Sequence, residues 1–133
     1  MIVVDTPILV CASFKTSLTD RVLKLHETDP FWEAPVIWRS EYLKVLTFYL
    51  RKNLITFKQA EEAMETAAYF IGSREHTVSP FVVLTLLNKS KCASRDCELI
   101  ALAVKLSTKL ITYNNQIIRD FPDIAIKPEH YKN

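Results

Sequence analysis

The chain has 133 residues, 49% hydrophobic and 24% charged, with a formal charge of +2. Those totals describe one globular domain, residues 1–133, able to bury roughly two-thirds of its unfolded surface. The charge neither selects nor excludes a nucleic-acid partner, and the single glycine, Gly72, sets aside P-loop and dinucleotide-binding folds, whose phosphate loops need several glycines.

The opening MIVV is a continuous apolar, β-branched run, as expected of a strand covered on both faces, with Asp5 at its end. SLTDRVLKLHE then offers Ser17 as a cap, with Leu18, Val22 and Leu25 at helical spacing. A short apolar run, Val36 to Trp38, leads into a helix carrying Tyr42, Val45, Leu46 and Tyr49 on one face and ending on Arg51 and Lys52. Thr56 and Gln59 stand in capping-box spacing before a third helix that closes on Gly72. EHTV suits a short strand, and Ser79-Pro80 is a cap followed by a proline at the first helical position. In SRDCELIALAVKLS, Ser94 is the expected cap of a helix apolar enough to be buried. A strand over Leu110 to Thr112, a helix through Ile117, Ile118 and Phe121, and a last strand IAI complete the chain. Strands alternating with helices imply a mostly parallel sheet between helical layers.

Ligands of such sheets bind beyond the carboxyl ends of the strands. Asp5 and Asn114 both fall there, Glu41 borders the apolar face of its helix, and Asp96 opens the buried helix. Each also suits a structural role: Asp5 as a turn residue, Glu41 as a solvated charge, Asp96 as a dipole-favouring first-turn acid, Asn114 as an N-cap. Brought to one rim, the carboxylates would repel one another or share a cation, and hard oxygen ligands favour Mg²⁺ or Mn²⁺.

Other chemistry is thinly represented. Cys11, Cys92 and Cys97 are odd in number and lack C-x-x-C spacing, and His26, His76 and His130 share no ligand spacing. A phosphoacceptor receiver domain needs an acidic pair after the first strand and a lysine after a late one, whereas Asp5 is followed by Thr6 and Lys109 precedes its strand. The N-terminus lacks the features of a secretory signal and no apolar stretch reaches bilayer length, so a cytoplasmic protein is expected.

MIVVDT, WRSEYLKVL, SRDCELIALAVKL and LITYNNQIIRDFPDIAI occur in the order and spacing of PIN-domain proteins, and the chain resembles the bacterial VapC-type toxins over essentially its whole length. The resemblance implies a PIN-like three-layer α/β/α fold and a metal-dependent ribonuclease acting on RNA. It further implies a homodimer neutralised by an antitoxin. Asp5, Glu41 and Asp96 match three of the family's acidic positions, and by that match Asp5 and Asp96 bind Mg²⁺ or Mn²⁺ with Glu41 as a further ligand or water-orienting group. Thr6 and Thr112 would hydrogen-bond the carboxylates or waters. The chain departs from the pattern at the fourth acidic position, where Asn114 supplies a carbonyl oxygen, at Pro7 in place of asparagine or serine, and at Arg95 in place of an aromatic residue. A PIN-like RNA- or protein-binding module with weakened catalysis is the alternative these departures favour. Phosphate contacts are expected from Arg39, Lys44, Arg51, Lys52 and Lys58, or from Lys89, Lys91, Arg95, Lys105 and Lys109.

Overall fold

A computed structural model describes residues 1–132. In chain order the elements are β1 (Ile2–Val4), α1 (Thr6–Ser13), α2 (Thr19–Thr28), β2 (Trp32–Pro35), α3 (Trp38–Arg51), α4 (Phe57–Ile71) and β3 (Glu75–His76). There follow α5 (Pro80–Asn88), α6 (Ser94–Lys105), β4 (Leu110–Ile111), α7 (Asn115–Asp120), β5 (Ala125–Ile126) and a 3₁₀ turn, Pro128–His130. The strands form one sheet in the order β3-β2-β1-β4-β5, and every pairing is parallel.

Helices cover both faces, as parallel crossovers require. The strand pleat divides the core accordingly. Ile2 and Val4 of β1, Trp32 and Ala34 of β2 and Ile111 of β4 pack with α1 to α4, while Val3 and Leu110 point the other way, into a cluster built with α5, α6 and α7. All three residues of β1 are almost completely buried, which explains its unbroken apolar run.

Where the chain differs from the sequence expectation, local chemistry supplies the reason. An additional helix, α1, follows β1 directly. The Asp5 side chain caps it by accepting from the Ile8 N–H at 3.2 Å, and Pro7 occupies the first turn, where no N–H is needed. Its sequence TPILVCAS is apolar on nearly every side because α1 lies against α2, α3 and α4 as well as under the sheet, so no helical stripe is visible. Entry into α2 is set not by Ser17 but by Thr16 and Thr19: the Thr16 N–H donates to the Thr19 hydroxyl at 2.8 Å, and the Leu18 N–H to the Thr16 hydroxyl at 3.1 Å. Ser94 is the first helical residue of α6, with Ala93 at the cap. The strand β2 precedes the apolar run Val36 to Trp38.

Other local signals are realised as read. Thr56 and Gln59 form a reciprocal capping box, with bonds of 3.1 and 2.8 Å. Gly72 ends α4 at φ 58, a left-handed conformation that favours glycine. Ser79 caps α5, and Asn114 caps α7.

The topology fixes where a ligand can enter. From β1 the chain runs outward to β2 and β3, then returns across the sheet to β4 on the other side of β1. The crossovers above β1 and β4 therefore depart in opposite directions and leave a crevice at the carboxyl ends of those two strands.

Candidate active site

Asp5 stands at that crevice. It is 4% exposed, and both its oxygens are engaged: Oδ1 accepts from the Ile8 N–H at 3.2 Å, and Oδ2 accepts from the hydroxyl of Thr112. Thr112 follows β4, is fully buried, and its hydroxyl also accepts from the Asn114 N–H at 3.0 Å. Strand β4 thus holds the carboxylate of β1 through one hydroxyl. Burial pushes the Asp5 carboxyl up to about 6, a rise opposed by the bonds from Thr112 and Ile8 and increased by the negative charge of Asp96.

Asp96 lies in the first turn of α6, and Glu41 in the first turn of α3. Burial also raises Asp96, with Arg95 opposing and Glu41 adding to the shift. The electrostatic coupling therefore runs from Asp5 to Asp96 and from Asp96 to Glu41. All three acids, with Thr6, Pro7 and Asn114, line a cavity of about 570 Å³ whose remaining wall is largely apolar. Two cations face the same space: Lys44 pairs with Glu41 at 3.1 Å and Arg95 with Asp96 at 3.9 Å.

Asn114 takes part through its backbone and its cap. Its Oδ1 accepts from the N–H groups of Gln116 (2.9 Å) and Ile117 (3.2 Å), which occupies the oxygen that would otherwise be offered to a cation. The Asn114 N–H meanwhile supports Thr112, and through it Asp5.

The donor set fits a hard divalent cation by its chemistry. Asp5 is a buried carboxylate that forms no ion pair among the described residues, and it faces two further carboxylates across one cavity. As the side chains stand, no three His, Cys, Asp or Glu among the described residues converge closely enough to hold an ion.

Sequence reasoning missed Glu98. Burial raises its carboxyl and the charge of Glu41 raises it further, so a fourth acid borders the group without lining the cavity. Its position two residues after Asp96 was the available signal. In the sequence Lys44 stands only in a broad basic cluster and Arg95 also at a departure from the family pattern, whereas both belong to the cavity.

No protein-family profile and no curated protein matches the sequence. Solved structures do match its shape. FitAcB from Neisseria gonorrhoeae superposes with a TM-score of 0.76 at 15% identity, over 98% of this chain and 100% of that one. The PIN-like fold expected from the motifs is the observed one. A toxin–antitoxin complex from Klebsiella pneumoniae shares this PIN-like fold with a TM-score of 0.68 at 19% identity, each chain covered completely. VapC20 of Mycobacterium tuberculosis, a sarcin–ricin-loop-cleaving toxin, gives 0.64 at 12% identity over 90% of this chain and 94% of its own.

Proposed function

We propose that this PIN-like chain is a divalent-metal-dependent endoribonuclease and the toxin of a toxin–antitoxin pair. The observation that carries the reading is the buried Asp5 carboxylate, held by Thr112 at the β1–β4 crevice and facing Asp96 and Glu41 without a cation of its own. Similarity in fold to toxin chains supports it.

Asp5 and Asp96 would hold Mg²⁺ or Mn²⁺, with Glu41 as a further ligand or as the group that orients the attacking water. When bound, the ion supplies charge neutralisation at the phosphate and an acidified water. The chain's own residues do the rest. Thr112 and the Ile8 N–H fix the Asp5 carboxylate, and burial keeps it poorly hydrated, so its affinity for a cation is high. Lys44 and Arg95 stand beside the acids, where their charged groups would contact substrate phosphates. Thr6 lines the cavity and is within the set that would bond water or carboxylate.

By analogy of fold, the chain would act as a homodimer in the cytoplasm and be neutralised by an antitoxin. No helix among the described residues is long and apolar enough to cross a membrane. A second reading, a PIN-like module that binds RNA or protein with weakened catalysis, is favoured by Asn114, whose oxygen is committed to its helix cap, and by Pro7, which brings no donor to the cavity. RNA cleavage by the purified chain in Mn²⁺, lost in EDTA, separates the two readings. Specific RNA binding with no cleavage would favour the second.

A further inference from the structure

One face of α3 continues past the acids along the cavity. Glu41, Lys44, Phe48 and Lys52 stand at i, i+3, i+7 and i+11, so they project to one side of the helix and its C-cap. The first three line the cavity. Lys52 lies over the Phe48 ring, its Nζ 5.9 Å from the centroid.

Phe48 meets Tyr49 in a tilted contact at 6.1 Å and is the most exposed ring of this wall. Tyr49 meets Phe14 edge-on at 5.4 Å, and Trp38 is buried, with its Nε1–H given to Glu75 and Arg39 over its face. Phe48 is 56% exposed. Phe57, Tyr69 and Phe81 are more exposed but lie outside the cavity.

We infer that Phe48 is a stacking platform for an unpaired RNA base beside the phosphate to be cleaved, with Lys44 contacting a flanking phosphate. The inference rests on the nuclease reading above and assigns to Phe48 the holding of a base beside the cleaved phosphate. Along the helix axis Phe48 is roughly 10 Å from Glu41, within reach of a neighbouring nucleotide. A flat ring between lysines complements an anionic chain carrying flat bases, the combination by which single strands are held. A duplex keeps its bases stacked inside and offers none to the ring. An apolar protein segment would bury the ring but leave Lys52, which forms no ion pair among the described residues, without an anion, so RNA is the better fit.

The test is fluorescence anisotropy with a short unpaired oligoribonucleotide and a matched duplex, in EDTA so that no cleavage intervenes, on wild type, Phe48→Ala, Phe48→Trp and Lys44→Gln, with thermal melting as the folding control. Phe48→Ala is expected to weaken single-strand binding about 5- to 100-fold and Phe48→Trp to retain it. Lys44→Gln should lower the slope of log affinity against log salt by about 0.7. Equal affinity of wild type and Phe48→Ala, or equal loss on the duplex, overturns the platform. Phe48-dependent binding without metal-dependent cleavage would keep the platform and remove the nuclease reading. Cleavage by Phe48→Ala at unchanged KM would keep the nuclease and remove the platform.

Discussion

The Thr112 hydroxyl donates to Oδ2 of Asp5 across 107 positions of sequence, and so joins the carboxyl ends of β4 and β1. The same hydroxyl accepts from the Asn114 N–H, which makes a continuous chain from the cap of α7 to the buried acid. Helix start and acid geometry are thereby mechanically linked.

Replacing Thr112 by Val keeps the shape and deletes the hydroxyl. The bond from Thr112 lowers the Asp5 carboxyl, so its loss should move the Asp5 titration above its present value of about 6. The buried Asp5 carboxyl also loses a partner, at a cost of roughly 1–3 kcal/mol in stability. Carbon NMR of the metal-free protein reads the first effect and chemical denaturation the second. An unmoved titration would show that the bond does not act on Asp5.

The raised value for Asp5 gives its own contribution to the metal-free fold a pH dependence, opposite in sign to that of Glu75, Asp120 and Glu129, which are held low. Between about pH 4 and 6 the folded chain holds a proton that the unfolded chain has released. The stabilisation from Asp5 is therefore complete below pH 4 and is lost as pH rises through about 6, a change on the order of 3 kcal/mol. Asp96 is raised by burial as well and acts in the same direction. Asp5→Asn should accordingly melt above wild type at pH 7 and close to it at pH 4, measured in EDTA. A variant melting below wild type at pH 7 would contradict this account of the site.

Asn114 separates helix capping from metal binding. Asn114→Ala should destabilise the chain by about 1 kcal/mol through loss of the α7 cap. Asn114→Asp keeps a capping oxygen and adds charge at the cavity, so Mn²⁺ should bind more tightly by calorimetry and RNA cleavage should be at least as fast. Unchanged metal affinity would confine position 114 to its cap.

Much of this arrangement is legible in local sequence. The capping box of α4, the Ser79-Pro80 start of α5 and the Asn114 cap involve partners within a few residues, and each is visible as a short pattern. Asp5 was legible as a residue just past a strand, because a parallel sheet directs that position to one rim, Asp96 as a residue opening a buried helix, and Glu41 as a charge bordering an apolar helix face. Helix α1 was not, since a helix buried on nearly every side shows no periodic stripe and its Ile-Leu-Val run imitates a strand. The bond between Asp5 and Thr112 is expected only through the resemblance, which gives the Thr112 hydroxyl a carboxylate or a water; which acid it meets is decided once β1 and β4 are neighbours. The pairing of Lys44 and Arg95 with the acids needed the cavity itself to separate them from the other surface cations.

In the proposed function Asp5 and Asp96 together carry metal-dependent RNA hydrolysis. Its most direct test is the rate at which the purified chain cleaves single-stranded RNA in Mn²⁺, compared among wild type, Asp5→Asn and Asp96→Asn, with circular dichroism confirming the fold of each. The account predicts cleavage by wild type that EDTA abolishes, and a loss of at least about 100-fold in either variant. Wild-type turnover in a folded Asp5→Asn or Asp96→Asn protein would contradict it.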